Sequence, residues 1–406
     1  MKHRYIPVIA AFTILVLSCS NKETGNLTTI DLKEALKHTG VVKLSELASD
    51  VEFVEFDSTN PEAYFQQVRS LSVGKNHIMV VDEFRNQVIL FSRSGKFIRL
   101  IGRVGKGPGE YLQCWLSAMD PEESCILVAD HLQKQLIKYA ITGEFLKSVS
   151  YKDLIPVFLL DGLEFIDDEH FGLVARRTGK PSDDFSSVPV FDLDLNLTHK
   201  FLNRANDENL KINNNTNQSL FRLKDKLLYH ESFFDTLYYL YPDGHEKPAY
   251  RIDVGKGGLT REYLSDYNVY INTNPQVFDR VLNVVEVGDY IFMRGFAGEQ
   301  FELAYRKKTG ESFSLTAPDN CYKSEIQIPC VENDLFGYGI FQIRKFNPDL
   351  GIYAEILWTP DLQDTAVLNC IRGKQVLLPE KREEFIHIIE RTGGGTEILV
   401  LLKTLK

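Results

Sequence analysis

Hydrophobic and polar residues alternate in short runs along most of the chain. In the stretch NQVILFSRSGKFIRLIG, the side chains of Val88, Leu90 and Ser92 are placed on one side and those of Ile89 and Phe91 on the other. Strict alternation over four to eight residues is typical of a half-buried β-strand. The glycine of SRSG stands where a hairpin turn needs a positive φ, and the apolar pattern resumes directly after it. The pattern therefore predicts antiparallel hairpins.

The same pattern returns further along the chain. IMVVDEFRNQVILFSRSGKFIRLIG aligns without a gap on ILVADHLQKQLIKYAITGEFLKSVS, so that Asp82 meets Asp130 and Gly95 meets Gly143, an offset of 48 residues. Weaker copies have their turn glycines at Gly244 and Gly310. Repeats of roughly 40 to 50 residues with about four strands each are typical of a β-propeller.

The predicted fold is all-β, a six-bladed β-propeller over residues 41–406 with four-stranded antiparallel blades; a count of seven stays open. The lone strand pattern at 51–58 and the terminal pattern TEILVLLKTL are expected to pair and close the ring, because closure removes exposed sheet edges. Helical insertions are predicted near 260–284 and 378–392. The candidate blades are 65–100, 113–150, 158–203, 217–254, 279–315 and 325–403.

The N-terminus has the pattern of a targeting segment. A basic start is followed by an apolar run at 6–17 that is too short for a comfortable transmembrane helix. The residues Val16-Leu17-Ser18-Cys19 resemble a bacterial lipobox, which implies cleavage before Cys19 and a diacylglycerol on its thiol. We therefore expect a signal peptide at 1–18, a polar tether at 19–40, and an outer-membrane lipoprotein of the cell envelope, periplasmic or surface-exposed. An ordinary secretory signal cut elsewhere is the alternative.

Composition and net charge limit the kinds of partner that the protein is expected to bind. The 406 residues are 44% hydrophobic and 25% charged, which is ordinary for a folded protein. A formal net charge of −10 argues against nucleic acid as a partner. Five cysteines remain after Cys19, namely Cys114, Cys125, Cys321, Cys330 and Cys370. Because their number is odd, the sequence does not indicate a disulfide framework, and because no CxxC occurs, it does not indicate a zinc site. A bridge between Cys321 and Cys330 stays open. We expect a monomer without a cofactor or metal.

The segment IGRVGKGPGEY at 101–111 could be either a phosphate-binding loop or a connection between two blades. A glycine-rich phosphate loop needs a strand before it and a helix after it, because backbone N–H groups and the helix N-terminus bind the phosphate. The following residues show a β-favouring pattern and Pro108, and the GK[ST] ending of a P-loop is missing. We interpret the segment as the crossover from the outer strand of one blade to the inner strand of the next.

These residues also carry a resemblance. VVDEFRNQVILFSRSGKFIRLIGRVGKGPGEY resembles the NHL-repeat pattern and is more closely similar to the six-bladed β-propeller lipoproteins of Bacteroidetes. Those proteins share IGRxGxGPGEY at this place and a later strand like FFDTLYYL, here at 233–240. The resemblance implies the fold from about residue 41 onward. It brings no catalytic residue with it, because the family is largely uncharacterised.

Candidate functional residues are few. Asp82 and Asp130 are expected to accept turn N–H groups. The weak candidates for ligand binding, which we expect at one mouth of the ring, are Arg103, Lys106, Glu110, Tyr111, Arg85 and His131. The preferred function is a binding or interaction module for a protein, peptide or glycan. The alternative is a hydrolase or lyase at the central pore, which would need facing carboxylates or several inward histidines.

Overall fold

A computed structural model describes residues 27–152, 159–176, 186–203, 218–231, 234–254, 278–297, 299–319, 321, 330–339, 341, 345–358, 364–392 and 397–405. Their strands form six sheets, and each sheet contains the four antiparallel strands of one blade. The predicted six-bladed β-propeller is therefore confirmed. Within these residues no helix combines the length and the apolar character needed to cross a bilayer.

Blades 1 to 3 follow the chain in order. Blade 1 contains β4 (Val68–Val73), β5 (His77–Asp82), β6 (Gln87–Ser92) and β7 (Phe97–Ile101). Blade 2 contains β8 (Cys114–Met119), β9 (Cys125–Asp130), β10 (Gln135–Ala140) and β11 (Phe145–Ser150). Blade 3 contains β12 (Leu159–Phe165), β13 (His170–Arg176), β14 (Ser186–Asp192) and β15 (Leu197–Asn203).

Blades 4 to 6 complete the ring. Blade 4 contains β16 (Gln218–Arg222), β17 (Leu227–Glu231), β18 (Thr236–Leu240) and β19 (Glu246–Asp253). Blade 5 contains β20 (Phe278–Val287), β21 (Tyr290–Ala297), β22 (Glu299–Arg306) and β23 (Glu311–Leu315). Blade 6 contains β24 (Lys345–Asn347), β25 (Ile352–Trp358) and β26 (Glu397–Thr404), with β3 (Ala48–Glu55) as its fourth strand.

The ring closes between the two ends of the chain, as the sequence predicts. β26 pairs with β3 in antiparallel register, with Val400 opposite Phe53. The first strand of each blade lies closest to the channel, and β4 contacts both β8 and β24. Middle strands such as β5 are buried on both faces because a neighbouring blade covers each face, so their sequence is almost continuously apolar.

The N-terminal residues correct one expectation. The segment assigned to a tether over 19–40 is part of the folded domain from Thr28 onward. β1 (Thr28–Asp31) adds to the outer edge of blade 4 beside β19, and β2 (Thr39–Gly40) adds to blade 5 beside β23. Between them lies α1 (Leu32–Ala35), and a 3-10 turn at Leu44–Glu46 follows. Cys19 and the signal-peptide pattern lie outside the described residues.

The insertions and the disulfide differ partly from expectation. Helix α3 (Pro379–Thr392) confirms the insertion near 378–392, and α2 (Thr365–Gly373) precedes it. Of the helix expected near 260–284, residues 278–284 belong to strand β20, and the rest lies outside the described residues. The disulfide joins Cys321 to Cys370, with Cα atoms 5.7 Å apart, and not to Cys330. A cysteine 49 residues away in sequence is brought beside Cys321 because α2 folds back towards the loop after β23.

Candidate functional site

The two ends of the ring differ in the length of their connections. One end, here called the loop face, carries the crossover 102–113 between blades 1 and 2 and the loops 83–86 and 131–134. The other end, here called the turn face, carries the short turns 74–76, 93–96, 120–124 and 141–144. Binding residues are found disproportionately on loops held by a rigid scaffold. All six candidate ligand-binding residues belong to the loop face.

The glycine-rich segment is a crossover, as predicted, because β7 ends at Ile101 and β8 begins at Cys114. The carboxylate of Glu110 accepts the N–H of Gly107 at 2.8 Å and pairs with Nε of Arg103 at 2.6 Å. These two donors hold the pKa of Glu110 below its ordinary value. A Cβ placed on Gly105 would lie 2.0 Å from Oε2 of Glu110. The chain's own carboxylate therefore takes the place that a phosphate would need.

Two of the candidate residues have structural partners. Tyr111, expected as an exposed residue, is only 1% exposed; its hydroxyl donates to the carbonyl of Ile101, and burial raises its pKa. Arg85 donates through Nη1 to the carbonyl oxygens of Pro61 and Tyr64, at 3.1 and 2.7 Å. Tyr111 thus packs under the crossover, and Arg85 fixes the chain that leads into blade 1. Lys106 remains exposed.

The remaining candidate, His131, lies beside the channel end of the loop face. Its ring is centred 5.3 Å from that of Trp115, and partial burial lowers its pKa. Arg69, which pairs with Glu83, covers the same indole at 3.9 Å, and Trp115 donates through Nε1 to the carbonyl of Leu160 at 2.7 Å. Trp115 thereby links blades 2 and 3 and fills this part of the mouth.

Asp82 and Asp130 accept backbone N–H groups, as predicted. Asp130 is fully buried and accepts from the N–H of Leu112, at 2.7 Å, in the crossover, and from that of Leu132, at 2.9 Å, in its own loop. Asp82 makes the equivalent bonds in blade 1. Each aspartate therefore joins the incoming crossover to a loop of its own blade.

A set of exposed apolar side chains was not singled out from the sequence. Four of them belong to segments of the loop face and are here called the apolar patch: Tyr64 is 50% exposed, Phe84 73%, Val104 55% and Leu132 61%. Phe84 and Leu132 hold equivalent positions, two residues after Asp82 and Asp130. An apolar residue at this loop position in both repeats was the sequence signal that could have indicated the patch.

The channel is narrow at the turn face. Lys345 of blade 6 pairs with Glu164 of blade 3, which stands across the ring, and Arg222 of blade 4 pairs with Asp349 at 2.9 Å. A cavity of about 60 Å³ remains among the ends of the inner strands. Neither Arg222 nor Lys345 was singled out from the sequence.

Histidines do not converge on the axis in the described part of the chain. His77 of blade 1 pairs with Glu123 in a turn of blade 2 at 2.7 Å, and His170 pairs with Asp167 in the turn before β13 at 3.1 Å. Across the residues that the structure describes, the group of His, Cys and acidic side chains close enough to share a metal is Asp319, Cys321 and Cys370, and its two cysteines form the disulfide. The pore chemistry of the alternative function finds no support in these contacts.

A family model described as a domain of unknown function, DUF4934, matches residues 27–386. The chain belongs to this family. The match begins at the residue that precedes β1, so the docked N-terminal segment is part of the DUF4934 domain. No curated protein matches the chain.

Two of the solved structures that are similar to this DUF4934 protein come from Bacteroides. A predicted exported protein of Bacteroides fragilis NCTC 9343, BF0058, is 16% identical with a TM-score of 0.61, over 93% of this chain and 99% of that one. A duf4221 family member from Bacteroides vulgatus ATCC 8482 is 12% identical with a TM-score of 0.42, over 66% of this chain and 84% of that one. The first of these likenesses supports the fold.

Proposed function

We propose that this DUF4934 protein is a lipid-anchored binding module of the cell envelope that holds a protein partner against its loop face. The observation that carries the proposal is the apolar patch, where four large side chains are each at least half exposed. Large apolar side chains exposed on one face of a soluble protein often belong to a binding surface, and aromatic side chains contribute strongly at protein interfaces. A partner that presents apolar side chains would bury these four.

The surroundings of the patch suit a protein more than a small molecule. Lys106 and the Arg103–Glu110 pair border the crossover and provide the polar rim that interfaces commonly have. The loops are held firmly, since Asn86 binds the crossover through its side chain at the carbonyl of Leu112 and the N–H of Cys114. A surface whose loops are fixed before binding loses little conformational entropy on association.

Three observations support a place outside the cytoplasm. The lipobox pattern ending at Cys19 implies export and acylation. The Cys321–Cys370 disulfide is of a kind that persists in oxidising compartments. The similar structure from Bacteroides fragilis is that of a predicted exported protein.

The docked N-terminus gives the anchored protein a preferred orientation. β1 runs parallel to β19, so the chain enters blade 4 from the side of the turn face. From a lipidated Cys19 to Leu27 the chain can span at most roughly 28 Å. The turn face would then lie nearer the membrane, and the apolar patch would point away from it towards a partner.

In the native host, a photo-crosslinking amino acid replacing Lys106 on the loop face tests the proposal, with Lys96 on the turn face as the matched exposed position. We expect a protein adduct from position 106 that is lost in the Phe84→Ser, Leu132→Ser double variant and kept in Leu405→Ser, another half-exposed leucine. Adducts that are equal from both positions, or that survive the double substitution, would refute the loop face as the binding surface. Cys19→Ala should release the protein from the membrane fraction; retention there would refute the lipid anchor.

A further inference from the structure

Arg222 interrupts the repeat at the turn-face end of the channel. It is the last residue of β16 and pairs with Leu227, the first residue of β17. The equivalent residues of blades 1 to 3 are Val73, Met119 and Phe165, which end the first strand of their blades and pair with Ile78, Ile126 and Phe171 near the start of the second strand. A charged side chain thus replaces an apolar one at a position where the fold itself requires no charge.

One N–H donor of the Arg222 guanidinium has no acceptor among the residues that the structure describes. Its side chain is only 10% exposed, and Nη2 pairs with Oδ2 of Asp349 at 2.9 Å. Nε is buried and donates to no acceptor in the part of the chain that the structure describes. Buried donors on charged groups nearly always have a partner, because leaving one unmet is costly. Among the described residues, the site therefore has no acceptor for this N–H group.

The carboxylates around the cavity do not supply that acceptor. Glu164 is engaged by Lys345. Asp120 accepts the hydroxyl of Ser124 at 2.8 Å and the N–H of Cys125 at 2.6 Å. The rest of the lining is mixed and includes the apolar residues Leu71, Phe165, Phe346 and Ile352 as well as Ser72 and Asn347.

The size of the cavity limits what can enter. About 60 Å³ has room for a few water molecules, since one water needs roughly 10–15 Å³ of a cavity measured in this way. A carboxylate group fits this volume, whereas the body of a metabolite or peptide would have to remain outside at the turn face. Residues from five inner strands, those of blades 1, 2, 3, 4 and 6, form the walls.

We propose that the turn-face end of the channel is a binding site for a carboxylate group, which accepts the Nε–H of Arg222 in a cavity that Lys345 also lines. The proposal is independent of the loop-face partner, because the two sites lie at opposite ends of the ring. Either can fail while the other holds.

Acetate and acetamide provide the first test, because they have nearly the same shape and differ in charge. Saturation-transfer NMR on the wild-type protein, at ionic strength matched with sodium chloride, should show saturable transfer to acetate and none to acetamide. Equal transfer to both would show that the charge is not recognised, and no transfer to acetate would mean that only water meets Nε; either result would overturn the proposal. This measurement needs no variant and so does not depend on how a substitution affects folding.

Variants then assign the binding to the named residue. Arg222→Met keeps much of the side-chain length without its donors and should weaken acetate binding by about tenfold or more, the loss expected for one charge-assisted hydrogen bond. Arg251→Met is the matched control, because Arg251 is exposed on β19 and pairs with Asp235. Asp349→Asn removes the carboxylate that competes for the guanidinium and should tighten acetate binding. Unchanged affinity in Arg222→Met, or weaker binding in Asp349→Asn, would contradict the assignment.

Peptides distinguish the source of the carboxylate. A short peptide with a free C-terminal carboxylate should displace acetate from the wild-type protein if the group belongs to a polypeptide, and its C-terminal amide should not. Displacement by acetate-sized acids alone would assign the site to small carboxylates. Displacement by acid and amide alike would refute recognition of the charge.

Discussion

Asp82 and Asp130 hold equivalent positions in blades 1 and 2, yet replacing each with asparagine should have unequal consequences. Both oxygens of Asp130 are used: Oδ2 accepts from the N–H of Leu112 at 2.7 Å and from Nε2 of Gln133 at 2.8 Å, and Oδ1 accepts further backbone N–H groups. Asp82 uses Oδ1 for its backbone bonds, and its buried Oδ2 has no partner in the described part of the chain.

The expected loss in the free energy of unfolding depends on how many N–H donors the new asparagine amide would face. In Asp130→Asn, either orientation of the side chain places an NH₂ group against at least two N–H donors. A hydrogen bond to a charged group contributes about 1.5–3 kcal/mol, and some of the loss is recovered by relaxation, so we expect a loss of about 3 kcal/mol. In Asp82→Asn the NH₂ group replaces the oxygen without a partner, and the substitution also removes a buried charge. The expected change there is below about 1 kcal/mol.

Chemical denaturation of the two single variants and the wild type, monitored by tryptophan fluorescence and far-UV circular dichroism, measures the difference. The two residues serve as controls for each other, because they share a repeat position and full burial. Equal losses in the free energy of unfolding, or a larger loss in Asp82→Asn, would show that the count of donors around the carboxylate does not govern its contribution.

Three further substitutions test other contacts. Glu123→Gln should lower the free energy of unfolding by about 2 kcal/mol, measured by urea denaturation, because its buried carboxylate joins blade 2 to the N–H of Asn76 at 2.9 Å and to His77 at 2.7 Å. Replacing both Cys321 and Cys370 by serine should cost about 4 kcal/mol in the same assay, since the disulfide closes a loop with a sequence separation of 49. His230→Gln should flatten the fall in stability between about pH 6.5 and pH 4, measured as the denaturation midpoint at each pH. Burial lowers the pKa of His230 to about 4, so the unfolded chain binds this proton first on acidification, and stability is lost as pH falls, by up to about 3 kcal/mol.

Each of the three has a control within the chain. Glu122 precedes Glu123 and is exposed, so Glu122→Gln should leave stability unchanged; a similar loss in both would argue against the contact between blades. Reductant should lower the midpoint of the wild type and not that of the double serine variant, and an effect on both would exclude the disulfide as its cause. His245 is exposed, and His245→Gln should keep the wild-type pH profile. A profile equally steep in His230→Gln would show that other groups cause it.

The architecture was predictable because each blade repeats a local pattern. Alternating runs, a turn glycine and a strand-end aspartate recur at a fixed offset in blades 1 and 2. The closing strand β3 was predictable because its strand pattern stands alone before the first blade. The docked N-terminus was missed for the opposite reason. β1 has the sequence TTID with only Ile30 buried, so backbone pairing and one apolar side chain hold it in place, and a polar tether has the same composition.

The channel contacts were not predictable, because they join residues that are distant in sequence. The Arg222–Asp349 pair links blades 4 and 6, and the Lys345–Glu164 pair links blades 6 and 3. A local sequence pattern cannot predict which side chains will contact each other across the ring. The accessibility of Tyr111 was misjudged for a related reason: the crossover folds back, with Val104 bridged to Tyr111, and turns this side chain inward.

Acidic residues that suggest chemistry in the sequence mostly complete the fold in the structure. Asp130, Glu110 and Glu123 each accept backbone N–H groups that crossovers and turns leave without a partner in a sheet. Because the repeat creates the same unmet donors in successive blades, a carboxylate that recurs with the repeat is explained by the architecture. Arg222 differs in that blades 1 to 3 have apolar residues at its position and in that its Nε has no acceptor among the residues that the structure describes. In a propeller, the residue that departs from the repeat and is not satisfied by the fold is the stronger indication of a ligand.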